Sequence, residues 1–430
     1  MDDHHRIHQD HDEQYTAGGG PSRAAGLRAC RQAEHGPGPH RLGRSRMRRT
    51  DERVGFPAMS GAAWGNGSVR RARVRGCLLG GAIGDALGNP VEFLSLAGIR
   101  RAHGEQGVRG LTAEEDGVTG RITDDTQMTL FTAEGLIRAH SRAMAKGIGG
   151  AETAVIRHAY LRWLDTQNHP APPARGGEDL VRTGWLREQP WLYARRAPGN
   201  ACLTGLTDGH TPDPRAPLGR PGPVNTDSKG CGTVMRSAPF GLTGGPADES
   251  FGLAARCAQI THGHPTGAYA AGALAAVVAH LLEGDSLPGA VLRAMELLAR
   301  HPGHQETSAA LRAAFELAGR GAPSAEKVES LGAGWVAEEA LAIAVYCALV
   351  LPRADQVGEA LLLSVNHSGD SDSTGAVCGN LLGAHHGDVH LPPSWLVRTE
   401  GRAVIAEVAD DLSLEFEHAV EWPAGRYPGC

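Results

Sequence analysis

Paired cysteines are the first thing missing from this 430-residue chain. Its eight cysteines (Cys30, Cys77, Cys202, Cys231, Cys257, Cys347, Cys378 and Cys430) include no Cys-x-x-Cys spacing, which argues against a zinc ribbon and against a dithiol redox motif. Most are expected as reduced thiols in a cytoplasmic protein. Positive charge is not in excess either. The net charge is -6, so a broad basic surface for nucleic acid is not expected. The N-terminus "MDDHHRIHQDHDEQ" is polar and acidic where a secretory signal needs a basic start and an apolar stretch, and no such signal is read there. Long apolar runs are scarce. The most membrane-like one, "TGAYAAGALAAVVAHLL" (266 to 282), is dominated by Ala and Gly, contains His280 and follows the polar "THGH", which suits a buried helix better than a bilayer span. Alternating β-branched segments, the mark of strands, are also hard to find.

What is present is helical periodicity and enough apolar residues, 41%, to fill a substantial core. From about Val69 onward the pattern repeats in "RARVRGCLLGGAIGDALG", "TDDTQMTLFTAEGLIRAHSRAM", "AETAVIRHAYLRWLDT", "ESFGLAARCAQI", "PGAVLRAMELLAR", "TSAALRAAFELAG" and "AEEALAIAVYCALVL". The expected fold is all-α, a compact multi-helix bundle. The exception is 166 to 232, crowded with Pro and Gly, which reads as a functional loop or an insertion. Residues 1 to 67 carry no helical period and are expected to be a disordered extension, with the basic run "RLGRSRMRRTDER" as part of a solvated tail and Met59 as a candidate natural start. The folded domain is expected over 68 to 425.

Two helices share a stripe of glycines. Gly76, Gly80, Gly84 and Gly88 recur every four residues, as do Gly375, Gly379 and Gly383, which on a helix leaves one face without side chains. Interior glycine costs about 1 kcal/mol against alanine, so the stripe predicts a close backbone approach, with another helix as partner. The two helices are therefore placed together at the bundle centre. That placement brings "HSGDSDSTGAVCGN" (367 to 380) towards Asp85 and Glu92.

The segment 367 to 380 is rich in hard oxygen, and so is "RITDDTQMTLF" (121 to 131) with Thr123, Asp124, Asp125 and Thr126. Each alone reads more readily as a helix N-cap with dipole-friendly acids than as a metal site. Carboxylates from both, gathered in a buried centre, repel one another unless protonated or neutralised, and divalent cations supply that neutralisation with the donors they prefer. A dinuclear metal site at the bundle centre is therefore expected. The Asp-Asp-x-x-Asp pattern of prenyl-transfer enzymes fails, because Met128 stands four residues after Asp124; "GGAIGDALG" lacks the spacing of a dinucleotide loop. In "NTDSKGCGTVMRSAPFG" (225 to 241), Ser228, Lys229, Gly230 and Gly232 could turn amides towards an anion, although turn chemistry alone explains the glycines as well. Cys231 with His262 as base is a conceivable nucleophile pair, but a buried structural cysteine fits better because no orienting third residue is identifiable, and His262 reads either as a ligand contact or as a helix-end histidine.

These clusters resemble, in order and spacing, the ADP-ribosylglycohydrolase family. The matching stretches are "GCLLGGAIGDALGNPVEF" (76 to 93), "ITDDTQMTL" (122 to 130), "APGNACLTGL" (197 to 206), "NTDSKGCGTVMRSAPFGL" (225 to 242), "THGHPTG" (261 to 267) and "HSGDSDSTGAVCGNLLGA" (367 to 384), spanning roughly Arg73 to Asp411. The resemblance implies an all-α hydrolase with two Mg2+ (or Mn2+) ions that cleaves the glycosidic bond joining ADP-ribose to a protein or another adduct. By matching position it implies Thr123, Asp124, Asp125, Asp370, Asp372 and Ser373 as metal ligands, with Ser373 where many relatives carry threonine. It implies Glu92 as a flexible glutamate beside the metals, and leaves proton transfer to Glu92 or a metal-bound aspartate such as Asp125. Ser228, Lys229, Gly230, Cys231 and Gly232 match the loop that holds the diphosphate, and His262 matches a residue near the ribose. The same residues leave two competing functions open, an ADP-ribose-binding module without turnover and a di-metal phosphatase or pyrophosphatase. A monomer without membrane contact is expected.

Overall fold

The computed structural model describes residues 67–114, 116–177 and 179–429. The extension expected over 1 to 67 lies outside the described residues, save Gly67, which opens the first helix. Among the described residues fifteen α-helices form: α1 Gly67–Gly88, α2 Leu96–His103, α3 Asp124–Lys146, α4 Glu152–Asn168, α5 Asn200–Thr207, α6 Ala247–Ala258, α7 Pro265–Glu283 and α8 Leu287–Leu298 in the first two-thirds. They continue with α9 Gln305–Ala318, α10 Ala325–Glu329, α11 Ala337–Val350, α12 Val357–Val365, α13 Ser371–His386, α14 Pro393–Leu396 and α15 Arg402–His418. No strand occurs among the described residues, only the isolated bridges Ala113↔Thr119 and Gly230↔Val336. The all-α expectation holds. The Pro- and Gly-rich stretch 166–232 is not wholly irregular, since α5 and short 3-10 turns lie within it.

Helices α1 and α13 form the centre, backbone against backbone. A Cβ placed on Gly84 would stand 1.9 Å from the Gly375 carbonyl oxygen, one on Gly379 2.0 Å from that of Gly80, and one on Gly383 1.8 Å from that of Gly76. Asn380 fixes the register by donating from Nδ2 to the Cys77 carbonyl at 2.8 Å. Only glycine permits this approach, and the backbone cannot yield as a flexible side chain would. Gly379→Ala should therefore cost about 3 kcal/mol or more of stability, read as a lower denaturation midpoint, whereas an alanine at Gly176, where nothing lies within 4 Å, meets no such wall.

Around this pair, α3, α7, α11 and α15 supply most of the core. Helix α7 is long and apolar enough to cross a membrane by composition, but 89% of its 18-residue window is buried inside the protein, as the Ala-rich sequence predicts. Buried charge in the helical wall is paired: Glu134 of α3 accepts from Arg138 at 3.0 Å and from Arg162 at 2.6 Å. That pairing follows the usual rule for charges taken out of water. The acids at the bundle centre do not follow it.

Candidate active site

Two helix N-termini meet at the end of the α1–α13 pair. Thr123 caps α3, its hydroxyl accepting from the Asp125 amide at 3.3 Å. Asp370 caps α13, accepting from the Ser373 amide at 3.3 Å, while Asp372 accepts from the same amide at 2.9 Å. The turn into α13 depends on Gly369, whose φ of +125° and whose position against the Ala333 carbonyl both exclude a side chain. Both oxygen-rich clusters are thus caps, as one reading of the sequence has it, and they are also brought together, as the other requires.

Glu92 comes from the chain leaving α1. Asn89–Val91 form a 3-10 turn with Pro90 inside it, and the Glu92 amide closes back on the Gly88 carbonyl at 2.9 Å. This places the Glu92 carboxylate, half-buried, beside α13, where one oxygen each from Glu92, Asp370 and Asp372 lie within 4.8 Å of one another. These three could hold a metal ion. The structure brings Asp124 and Asp125 into the same electrostatic neighbourhood, with Asp372 the strongest charge acting on each after burial. The tight geometry is that of one triad; the dinuclear arrangement expected from the sequence is not resolved by it.

No ion pair reaches Asp85, Glu92, Asp124, Asp125, Asp370 or Asp372 among the described residues. Burial, then Asp372, Asp370, Asp124 and Asp85, push the Glu92 carboxyl up to about 10. Burial and Asp372 raise Asp85 to about 7 against the hydrogen bonds it accepts, and Asp124, Asp125 and Asp370 are raised for the same reasons. Asp125 Oδ1 is buried with no hydrogen-bond partner.

The 225–241 motif lies against this cluster. Asn225, at φ +44°, ties three of the sequence motifs together, donating to the Ala201 carbonyl at 3.0 Å and to the Thr261 carbonyl at 2.8 Å. In the loop, the Ser228 amide donates to Asn225 and the Cys231 amide to Trp335, so these two amides face the protein. Lys229 does not extend freely: its Nζ bonds Glu306 at 2.8 Å and also Glu338. Gly230 and Gly232 pass over His262, where a Cβ would come within 3.2 and 3.0 Å of the imidazole. Burial, then Arg236, lower His262 to about 3, and burial, then Asp370, raise the Cys231 thiol. A protonated thiol beside a carboxylate is no nucleophile. His262 is a neutral support under the loop, held by the Thr261 hydroxyl at 2.8 Å.

A pH consequence follows for His262. Its folded value lies below the unfolded one of about 6.5, so the unfolded chain binds the extra proton, and its contribution to stability is present above pH 6.5 and lost as pH falls towards 3. Between pH 7.5 and 5 the loss should be about 2 kcal/mol, and His262→Gln should flatten that part of the denaturation profile. An unchanged profile in the variant would remove the assignment.

Glu306 and Glu338 escape the sequence reading, which places Asp85 near the site without a role. Asp85 accepts from the Thr123 amide at 2.9 and 3.0 Å and the Thr126 amide at 3.1 Å, so an acid on α1 positions the N-terminus of α3. Its only sequence signal is an acid inside a glycine-striped apolar helix. Glu306 and Glu338 clamp Lys229, and of the two only Glu338 stands out in the sequence, in a helix whose charged residues are Glu338 and Glu339 alone.

A family model described as ADP-ribosylglycohydrolase matches residues 19–421. The chain belongs to the ADP-ribosylglycohydrolase family. It is accordingly a hydrolase of glycosidic bonds. It is 26% identical over 338 residues to the ADP-ribosyl-[dinitrogen reductase] glycohydrolase of Rhodospirillum rubrum, covering 76% of this chain and 90% of that one. Mouse ADP-ribosylhydrolase ARH3 is 27% identical, with 81% and 93% covered, and the ADP-ribosylarginine hydrolase Tri1 of Pseudomonas putida is 25% identical, with 79% and 77% covered. A solved ADP-ribosylglycohydrolase-related protein complex superposes with a TM-score of 0.54 at 26% identity, over 80% of this chain and 98% of that one.

Proposed function

We propose that this glycohydrolase removes ADP-ribose from an ADP-ribosylated protein by hydrolysing the bond at the ribose anomeric carbon, with two magnesium or manganese ions held by Thr123, Asp124, Asp125, Asp370, Asp372 and Ser373. The observation that carries the reading is the meeting of Glu92, Asp370 and Asp372 within 4.8 Å at the edge of the 228–232 loop. The residues fit hard cations: the acids are buried, oxygen-rich and without cationic partners, and Asp125 Oδ1 lacks any donor. Bound there, divalent ions neutralise the acids, orient the ribose hydroxyls and acidify a water.

The chain's own groups then divide the chemistry. Glu92, half-buried at the edge of the acid cluster, gives a proton to the departing atom as the glycosidic bond breaks. Positive charge builds on the anomeric carbon in an oxocarbenium-like state facing the Asp370 and Asp372 carboxylates. Water forms the new carbon–oxygen bond, and Asp125, with its unpartnered Oδ1, accepts the water's proton. The loop from Ser228 to Gly232, braced by Asn225 and His262, holds the diphosphate at a fixed distance from the acids.

Incubation of the full chain with ADP-ribosylated protein and chromatography of the released nucleotide tests this. ADP-ribose should appear in magnesium or manganese and not in excess chelator. Full activity in chelator removes the ions from the reading, and release of AMP in place of ADP-ribose turns the site into a pyrophosphatase.

A further inference from the structure

Arg236 is buried, 1% exposed, yet no carboxylate pairs with it among the described residues. Its guanidinium lies over the Tyr160 ring at 4.5 Å, its Nη1 donates to the sulfurs of Cys202 and Met128 at 3.3 and 3.5 Å, and its Nη2 donates to the Thr261 hydroxyl at 2.6 Å. Two sulfurs and a ring are weak partners for a charge taken out of water; Thr261 is the strong one. A guanidinium only donates, so Thr261 Oγ1 accepts on that side and has one proton of its own to give. Two acceptors are in reach, His262 Nδ1 at 2.8 Å and the Ala258 carbonyl at 3.4 Å. That carbonyl already takes the Thr261 and His262 amides at 3.2 and 3.1 Å. The hydroxyl proton therefore goes to Nδ1, and the guanidinium strengthens the bond by polarising the oxygen that donates it.

A neutral imidazole that accepts at Nδ1 carries its proton on Nε2. His262 is neutral, and its Nε2 makes no hydrogen bond among the described residues although the side chain is 3% exposed. Nε2 lies under the loop: a Cβ on Gly230 would stand 3.2 Å from it and one on Gly232 3.3 Å. Gly230 holds an ordinary φ of -56°, so no turn requires glycine there, and its missing side chain leaves the imidazole edge open to the loop. Resting on the hydrolase reading above, we infer that Arg236 and Thr261 are positioning residues for substrate binding: they lock His262 in the tautomer with its proton on Nε2, so that the floor of the 228–232 loop presents a fixed, neutral donor to an oxygen of ADP-ribose. The opposite tautomer would aim a lone pair at that oxygen. A carboxylate in place of Arg236 would draw the hydroxyl proton to itself and let the histidine donate from Nδ1; an arginine, which never accepts, holds the relay in one direction.

Imidazole nitrogen-15 spectra of the full chain in magnesium, with the His262 signals assigned by their loss in His262→Gln, read the tautomer directly. The parent at neutral pH should show the proton on Nε2 and an unprotonated Nδ1, and saturating ADP-ribose should shift the Nε2 signal. A proton on Nδ1, or an Nε2 signal that bound ADP-ribose leaves unmoved, overturns the inference. Thr261→Val keeps the shape of the side chain and removes the hydroxyl, so both tautomers should appear, and the Kd for ADP-ribose should rise about 10-fold, the scale of one hydrogen bond to a charged group. KM for an ADP-ribosylated protein should rise in step while kcat stays within about 2-fold, and Thr261→Ser should restore both the single tautomer and the affinity. An affinity lost with the tautomer unchanged, or a serine variant as weak as the valine one, makes Thr261 a structural residue and overturns the inference. If Thr261→Val fails to fold because the Arg236 charge loses its oxygen, Arg236→Met makes the same comparison: nothing then obliges the hydroxyl to accept from that side, and the proton should appear on Nδ1 as well. The spectra and the Kd need no turnover. A parent that releases ADP-ribose from no adduct therefore sinks the hydrolase reading alone, and normal turnover with the proton on Nδ1 sinks this inference alone.

Discussion

Asp372→Asn is expected to reduce turnover by roughly 10²–10³-fold while raising the melting temperature of the protein in chelator. The two effects have one cause. Asp372 is the leading charge, after burial, acting on Asp85, Glu92, Asp124, Asp125 and Asp370. Removing it relieves repulsion in a buried cluster that has no cationic side chain, and the asparagine oxygen can still accept the Ser373 amide that Asp372 accepts at 2.9 Å. The helix cap therefore survives the change. Added magnesium or manganese should raise the melting temperature of the parent by mass action and leave the variant nearly unmoved. Calorimetry of both proteins with and without the metal reads all of this. A variant less stable than the parent in chelator, and equally stabilised by metal, would mean that the acids are not a mutually repelling cation site.

Glu92→Gln should lower kcat by roughly 10²-fold or more with little change in affinity for ADP-ribose. The side chain reaches the cluster from a 3-10 turn, half-buried, and no hydrogen bond of the α3 or α13 caps depends on it. Glutamine keeps its shape and its oxygen but has no acidic proton to deliver. The loss should be smallest on adducts whose leaving group departs readily without protonation, so a series of leaving groups of different basicity separates proton donation from simple positioning. If the variant cleaves as fast as the parent, proton transfer belongs to the aspartates of α3 or α13. Together the two variants divide the site into a part that gathers charge and a part that moves a proton.

Local pattern was enough for much of this molecule. The four-residue glycine spacing in 76–88 and 375–383 identifies two helices that must touch, because an unbranched stripe at helical period has few other uses, and Gly76, Gly80 and Gly84 do meet Gly383, Gly379 and Gly375. The Thr and Asp residues at 123–125 and 370–373 carry the chemistry of a cap and of a ligand at once, so composition alone could name them without choosing. The choice needed distance. Asp85 reaches Thr123 across 38 residues, and Lys229 reaches Glu338 across 109. Neither contact leaves a trace in spacing, since a side chain's partner depends on where packed helices bring their ends. The same holds for Phe93 and Trp335, which look like isolated aromatics in the chain and become a stacked pair only when the α1 exit turn is laid against the loop before α11. Residue type and period thus determined the helices and the acids by themselves; which acids share one space, which stay unpaired and which aromatic faces flank them was decided by the backbone contact of α1 and α13, because desolvation and charge repulsion act through space and not along the sequence.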